Sequence, residues 1–267
     1  MRSALFISAN TPSMLQTAHA YDTDAFFYDL EDSVAVHDKR SARFLLAEHL
    51  RHHPPAAPVF IRINGVEDEA FASDVALLKE LKHTHVLLPK TTLAHLETLV
   101  KELPTVVVMA LLETPDVFFD CLSIAKHPNV MGLMLGGEDL ALALNCPKPT
   151  HPEALLFARS QLLYAAKAYD KVALDTPYTH FQDVRGLHEH MDVAWRMGFD
   201  GKVAIHPSQL PYIQARFSPT KEALEEAQAI VQMHEQTHST RFSYQGKMVD
   251  QPIIKKAYKL LAQKERR

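Results

Sequence analysis

Short apolar runs rich in β-branched and aromatic residues alternate with helical patterns along most of the chain. The runs occupy 4–8, 25–30, 59–64, 85–90, 105–113, 130–135, 172–175 and 202–207. The helical patterns that follow them occupy 12–21, 38–50, 68–81, 92–102, 116–126, 138–144 with 152–169, 183–197 and 208–216. Eight such units predict a closed parallel (β/α)8 TIM barrel. An open, doubly wound sheet is the alternative, disfavoured because no glycine-rich phosphate loop follows the first run.

The pattern changes after residue 217. Residues 218–238 form a polar amphipathic pattern with a Ser-Pro-Thr start and a Glu-rich first turn, which is typical of a helix. A short hairpin around Gly246 and a final basic helix follow. We therefore predict a barrel domain over 1–217 and a C-terminal helix–hairpin–helix arm or lid over 218–267. A terminal helix that only covers the bottom of the barrel is the alternative.

The composition is that of an ordinary soluble protein, with 47% hydrophobic and 22% charged residues and a net charge of −4. No basic excess points to nucleic acid or to a membrane surface, and the apolar run VVVMALL is far too short to span a bilayer. Two cysteines do not make a disulfide framework in a chain of 267 residues. The N-terminal segment lacks a signal-peptide cleavage pattern, so we expect a cytoplasmic protein.

Polar residues follow almost every predicted strand. They are Asp29, Glu31, Asp32, Arg62, Asn64, Lys90, Glu113, Glu138, Asp139, Asp175 and His206. In a barrel of this kind the active site lies at the carboxyl ends of the strands. A single such residue is well explained as a helix cap, but a residue at nearly every strand end predicts one shared polar site.

Carboxylates dominate this set, and a buried carboxylate is costly unless it is paired or bound to metal. Glu113 and Asp139 follow neighbouring strands and offer hard oxygen ligands, which suit Mg²⁺. The acidic stretch Asp29–Asp32 is explained either as a helix start or as a set of partners for metal-bound water and for basic residues. Arg62 is placed either to neutralise these acids or to bind a substrate carboxylate or developing oxyanion.

Several motifs resemble those of a known family. RSALFISANTPSML, DAFFYDLEDSV, VFIRING, LLPKT, ALLETP, GGEDLA, GFDGKVAIHPSQL and GKMVDQPIIKKA occur in the order and spacing of the citrate lyase β-chain-like family. That family lies within the HpcH/HpaI aldolase superfamily, which includes malyl-CoA and citramalyl-CoA lyases. The resemblance covers nearly the whole chain and implies a (β/α)8 barrel, usually trimeric, with Mg²⁺ at the strand ends.

The resemblance also implies residue roles. Glu113 and Asp139 correspond to the Mg²⁺ ligands, and Arg62 to the residue that contacts the substrate oxygens. Glu31 and Asp32 correspond to acids that support the ligands. The acid/base of the family, which the C-terminal arm delivers into the site of a neighbouring subunit, corresponds to Asp250. We expect the substrate to contact Arg62, Glu113 and Lys90; Lys90 has a structural or substrate-binding role because no Schiff base is needed.

The implied reaction is the cleavage of a 3-hydroxyacyl thioester of the citramalyl-, malyl- or citryl-CoA type into an acetyl thioester and a 2-oxo acid. The alternatives are a thioester-free pyruvate aldolase, the citryl-acyl-carrier-protein lyase subunit of a citrate lyase complex, and a non-catalytic partner subunit. The thioester carrier is CoA or acyl-carrier protein. Two departures from the family lie where it contacts the carrier: Ser8-Ala9 replaces Pro-Gly, and Gln16-Thr17 replaces a region that often holds lysine.

Overall fold

The computed structural model of the protein describes residues 1–146 and 154–265. The chain divides into two compact units, Met1–Phe217 and Ser218–Arg267. The first unit contains eight parallel strands: β1 Ser3–Ser8, β2 Phe26–Asp29, β3 Val59–Arg62, β4 His85–Leu88, β5 Val107–Leu112, β6 Val130–Leu135, β7 Val172–Asp175 and β8 Gly201–Ala204. In β1, Leu5 lies opposite Phe26 of β2 and opposite Ala204 of β8. The sheet therefore closes on itself, which confirms the barrel and excludes the open sheet.

Helices follow the strands as the sequence pattern predicts. They are α1 Pro12–Thr17, α2 Lys39–His52, α3 Phe71–Leu81, α4 Leu93–Glu102, α5 Cys121–Lys126, α6 Gly137–Ala143, α7 Leu156–Ala168, α8 Val184–Met197 and α9 Leu210–Phe217. Four short 3₁₀ turns lie within or at the edge of predicted helices, at Ala18–Ala20, Val36–Asp38, Asp116–Phe119 and Pro207–Gln209. The helix predicted over 152–169 is observed as α7, and its first two predicted residues lie outside the described residues.

The barrel interior is filled by side chains from all eight strands. This interior cluster consists of Ala4, Ala25, Phe27, Phe60, Leu87, Met109, Leu111, Met134, Leu174 and Val203. The ring of Phe27 contacts that of Phe60 edge-on at 5.6 Å between centroids. Since successive side chains of a strand point to opposite faces, the residues between these positions face the helices. This alternation therefore decides which strand-end residues point into the barrel mouth, the open end of the barrel at the carboxyl ends of the strands.

The second unit consists of α10 Lys221–Thr237, an antiparallel hairpin of β9 Phe242–Tyr244 and β10 Lys247–Val249, and α11 Gln251–Glu265. Gln245 and Gly246 both have positive φ, as the tight turn of a two-residue hairpin requires. The unit has its own small core, formed by Ala227, Ile230, Val231, Val249, Ile254 and Ala257. In the part of the chain that the structure describes, no helix is both long and apolar enough to cross a bilayer.

Candidate active site

The carboxyl ends of three strands carry polar residues that continue the interior face of the barrel. Asp29, Arg62 and Glu113 each lie two positions beyond an interior apolar residue of β2, β3 and β5. Because the side-chain period of a strand is two residues, all three point into the mouth. The structure thus brings Arg62 and Glu113, which sequence analysis assigned to the site, together with Asp29.

Asp29 and Arg62 form a bidentate ion pair across the mouth. Arg62 Nε donates to Asp29 Oδ1 at 2.7 Å, and Nη2 donates to Oδ2 at 2.7 Å. The backbone N–H groups of Glu31 and Ser33 also donate to this carboxylate. Burial alone would raise the pKa of Asp29, but Arg62 and these donors hold it below its ordinary value. Arg62 therefore neutralises a buried acid first, and only its outer N–H groups remain for a substrate.

The outer edge of Arg62 faces two further acids. Nη1 donates to Asp32 Oδ2 at 3.3 Å and lies 2.9 Å from Glu31 Oε2. The geometry to Glu31 is not that of a hydrogen bond, so among the described residues Oε2 is a buried acceptor without a donor. Lys90 Nζ donates to the other oxygen of Glu31 at 3.2 Å. Burial, with the nearby charge of Asp32, raises the pKa of Glu31. The acceptor that lacks a donor marks where a further positive charge would be stabilised.

Glu113 lies at the floor of the mouth with only 4% of its surface exposed. The backbone N–H of Lys90 donates to its Oε1 at 2.8 Å, from a left-handed backbone conformation with φ of 45°. Burial, with the charges of Glu31 and Asp139, raises the pKa of Glu113 to about 8. A carboxylate with so few compensating partners is a functional-site candidate.

Asp139 lies in the first turn of α6 and is half-buried. Its charge contributes to the raised pKa of Glu113. No group of three or more His, Cys, Asp or Glu side chains within residues 1–146 and 154–265 is arranged to hold a metal ion. Mg²⁺ commonly takes one or two protein carboxylates and completes its octahedron with water and substrate oxygens. Glu113, Asp139 and the Glu31 oxygen that accepts no hydrogen bond are hard oxygen ligands, the type that this cation takes.

The close approach of Gly136 to Glu113 explains the glycine at this position. A Cβ atom on Gly136 would lie 2.5 Å from both Cβ and Oε2 of Glu113, closer than any real contact. Its φ of −94° is open to any residue, so the constraint is one of space alone. The sequence pair Gly136-Gly137 at a strand end was the available signal for this packing.

We expect Gly136→Ala to displace the carboxylate of Glu113. Overpacking should lower the free energy of unfolding by about 1–3 kcal/mol, and binding of Mn²⁺, a spectroscopic substitute for Mg²⁺, should weaken. Thermal unfolding and Mn²⁺ titration followed by electron paramagnetic resonance measure the two effects. Gly65→Ala is the matched control, because a Cβ there meets nothing within 4 Å. Equal behaviour of the two variants would contradict the packing argument.

Three strand-end residues that the sequence assigned to the shared site have other partners in the structure. Asp175 directly follows the interior residue Leu174 in β7, so its side chain points to the other face of the sheet, toward the helices. Asn64 is fully buried, and its N–H groups donate to Asp74. His206 caps the 3₁₀ turn that follows β8, where its Nδ1 lies 2.7 Å from Ser208 Oγ. The expectation that every polar strand end converges on the mouth is therefore wrong for Asp175.

Asp175 belongs to a buried ion cluster between β7, β8 and the helices α7 and α8. Arg159 Nε donates to Asp175 Oδ1 at 2.8 Å, and Lys202 Nζ donates to Oδ2 at 2.9 Å. The ring of His190 lies between them, with Nδ1 2.8 Å from Lys202 Nζ and Nε2 3.1 Å from Arg159 Nη2. Burial, together with the charge of Lys202, lowers the pKa of His190 to about 4.

His190 should make the barrel sensitive to acid. The folded state keeps the ring neutral down to about pH 4, whereas the unfolded chain binds the proton below its ordinary pKa of 6.5. The unfolded state therefore binds more protons in this window, and the free energy of unfolding should fall by about 2–3 kcal/mol between pH 7 and pH 4.5. His190→Gln should flatten this slope in urea denaturation, whereas the exposed His188→Gln on the same helix should leave it unchanged.

The remaining predicted residue, Asp250, lies in the second unit. Its carboxylate Oδ1 accepts a long hydrogen bond of 3.4 Å from the backbone N–H of Ile253, at the start of α11. Its role as an acid/base stays a prediction. Sequence analysis missed two other contributors to the mouth: the backbone N–H of Lys90, and Phe6, whose ring lies 5.1 Å from the guanidinium carbon of Arg62. Phe6 could have been predicted to face the barrel interior, because it lies two residues beyond Ala4 in β1.

Comparison with known proteins places this site in a family. The family described as HpcH/HpaI aldolase/citrate lyase matches residues 2–207. The chain belongs to this family. A second family description, a C–C bond lyase of the TIM-barrel fold, matches residues 159–265. The family is one of lyases that act on carbon–carbon bonds, and the barrel described above is its fold.

Two relatives of the chain carry different names. It is 28% identical to the citrate lyase subunit beta of Leuconostoc mesenteroides subsp. cremoris, with 97% of this chain and 92% of that protein covered. It is 32% identical to a (3S)-malyl-CoA thioesterase of Cereibacter sphaeroides, with 99% and 94% covered. Among solved structures, CitE from Mycobacterium tuberculosis in complex with magnesium, acetoacetate and coenzyme A is 31% identical and superposes with a TM-score of 0.82, covering 98% of this chain and 97% of that one.

Proposed function

We propose that the protein cleaves a 3-hydroxyacyl thioester of CoA, of the malyl-, citramalyl- or citryl-CoA type, into an acetyl thioester and a 2-oxo acid. The observation that carries the proposal is the acidic mouth: Glu113 is buried there near the Asp29–Arg62 pair, and the charge of Asp139 contributes to its raised pKa. The relatives support it, since one is named for citrate cleavage and another for malyl-CoA. The CitE crystals with magnesium, and with pyruvate or oxaloacetate as 2-oxo acids, support the cofactor and the product class.

Glu113 and Asp139 would hold Mg²⁺, which supplies Lewis-acid stabilisation of negative charge on substrate oxygens. The protein's own groups do the rest. The outer N–H groups of Arg62 and the ammonium of Lys90 attract the carboxylate of the substrate and orient it. Glu31 and Asp32 keep these cations in place through the contacts described above. Glu113 itself is buried, which limits the access of water to its carboxylate.

The proton transfers require a base and an acid. We assign both to Asp250: its carboxylate removes the proton from the 3-hydroxyl group, and the electron pair of the broken O–H bond forms the carbonyl π bond as the carbon–carbon bond breaks. The electron pair of that bond remains on the acetyl thioester as an enolate, and protonated Asp250 returns the proton to the enolate carbon. The assignment includes a homotrimer in which the C-terminal unit reaches the mouth of a neighbouring subunit.

The decisive assay incubates the purified protein with Mg²⁺ and (S)-malyl-, (S)-citramalyl- or citryl-CoA. A 2-oxo acid, trapped as its phenylhydrazone, is the expected product, without release of free thiol to a disulfide reagent. Free thiol without 2-oxo acid would instead show thioester hydrolysis, the activity named for the Cereibacter relatives. Undiminished cleavage in excess chelator would contradict the cation site. Parallel incubations with pyruvate and an aldehyde, and with acyl-carrier-protein thioesters, test the thioester-free aldolase and the other carrier.

Asp250→Asn should lower turnover about 100-fold or more, because the amide cannot accept the proton. Asparagine is as good a helix cap as aspartate, so the melting temperature should hardly change. Steady-state kinetics with calorimetry measure both. Asp183→Asn is the control, since Asp183 also caps a helix, with its carboxylate accepting from the backbone N–H of Gly186. Wild-type turnover in Asp250→Asn would mean that Asp250 only caps the helix and transfers no proton.

A further inference from the structure

The start of α6 is held by a hydroxyl group from the neighbouring strand. Thr176, directly after β7, is 2% exposed, and its Oγ1 accepts a hydrogen bond from the backbone N–H of Gly137 at 2.9 Å. The first N–H groups of a helix have no partner within the helix and need an acceptor. The N-cap residue of α6 is Gly136, which has no side chain to supply one. Thr176 therefore supplies the acceptor from another strand.

The same turn is packed tightly on both sides. A Cβ atom on Gly137 would lie 2.7 Å from Thr176 Oγ1 and 2.9 Å from its Cγ2, and one on Gly136 would lie 2.5 Å from Glu113 Oε2. The Gly136-Gly137 turn thus fills the space between Thr176 and Glu113. Asp139 lies two residues further along, in the first turn of the same helix. A shift of Thr176 would therefore move both acids relative to each other.

The backbone of Thr176 is itself anchored in the buried ion cluster. Lys202 Nζ donates to the carbonyl oxygen of Thr176 and, at 2.9 Å, to the carboxylate of Asp175. Lys202 and Asp175 are both fully buried, and Arg159 fixes Asp175 from α7. Groups packed at interior density transmit displacement rather than absorb it. The chain of contacts runs without interruption from the cluster, through Thr176, to the turn beside Glu113.

We infer that Thr176 is a positioning residue for the Glu113–Asp139 pair and acts through the backbone of Gly137. The ion cluster outside the barrel holds its carbonyl, and its hydroxyl holds the turn that sets the separation of the two acids. This inference about Thr176 rests on the proposed function only in the experiment that measures cation binding. The competing explanation is that Thr176 merely fills space, with its methyl group packed against the turn.

Two substitutions separate these explanations. Thr176→Val keeps the shape and removes the acceptor, whereas Thr176→Ser keeps the hydroxyl and removes the methyl group. In Thr176→Val, we expect amide exchange at Gly137 to accelerate at least about 10-fold and Mn²⁺ affinity to fall about 10-fold, as for other residues that orient metal ligands. In Thr176→Ser, both should stay within about twofold of the wild type. Amides of α4 serve as the internal reference for global unfolding.

The outcomes decide the inference one way or the other. Wild-type exchange at Gly137 in Thr176→Val would overturn it, as would an equal acceleration in α4 or the full effect in Thr176→Ser. A wild-type protein that binds no Mn²⁺ would remove the proposed cation site. In that case the exchange rate at Gly137 alone would still decide whether Thr176 holds the turn, so the two failures are distinguishable.

Discussion

Glu113→Gln is expected to abolish cation binding while leaving the protein folded. The amide oxygen can still accept the hydrogen bond from the backbone N–H of Lys90, so the local structure should persist. A neutral group also suits the buried floor better than a carboxylate, so the free energy of unfolding should not fall. Loss of a Lewis acid worth several kcal/mol implies a fall in turnover of about 10³-fold. Calorimetric Mg²⁺ titration and the 2-oxo acid assay measure the two effects.

The control for Glu113→Gln is Glu138→Gln. Glu138 carries the same charge, lies next to Asp139 and is exposed, so its replacement should change Mg²⁺ affinity less than about threefold, as expected for a solvent-screened charge. Similar losses in both variants would mean that the site responds to overall charge rather than to ligation. Unchanged affinity in Glu113→Gln would disprove the ligand assignment.

Asp175→Asn is expected to destabilise the barrel strongly. Asp175 is fully buried, and Arg159 and Lys202 together hold its pKa well below the ordinary value even though burial opposes this. Removing its charge leaves two buried cations without a counterion, which costs about 3–5 kcal/mol and lowers the melting temperature by roughly 10 °C. Urea denaturation followed by the fluorescence of Trp195, the single tryptophan, reports on the barrel.

An exposed ion pair provides the comparison for the buried one. Arg185→Gln breaks the contact between Arg185 and Glu189 on α8, whose side chains are 90% and 67% exposed. Such pairs contribute little, so the free energy of unfolding should change by less than about 0.5 kcal/mol. If Asp175→Asn lowers the free energy of unfolding no more than Arg185→Gln does, the cluster does not anchor β7 and β8. The cluster would then not hold Thr176 in place either.

The barrel could be predicted because its elements repeat. Eight apolar runs separated by helical patterns give the strand count and the parallel order, and pairing of β1 with β8 completes the ring. The central residues Arg62 and Glu113 followed from the same reading, because they lie at strand ends. Their hydrogen-bond partners could not be predicted. The N–H group that binds Glu113 depends on a left-handed backbone at Lys90, which has no sequence signature when the residue is neither glycine nor asparagine.

Asp175 shows why the predicted site was too large. Strands of a parallel barrel are buried on both faces, so they read as continuous apolar runs and conceal which face each residue occupies. The run VALD gives no alternation, and only the interior position of Leu174 reveals that Asp175 faces the helices. The separation of the mouth from the ion cluster therefore needed the register of the strands, which depends on long-range pairing.

The left-handed backbone at Lys90 has a practical consequence for engineering. Glu113 accepts a hydrogen bond there from a main-chain N–H group, which every residue except proline has. This hydrogen bond is therefore independent of the side chain at position 90. Asparagine and glycine tolerate this conformation more easily than lysine does. Libraries at this one position would therefore change the side chain beside Glu31 while the main-chain hydrogen bond to Glu113 is kept.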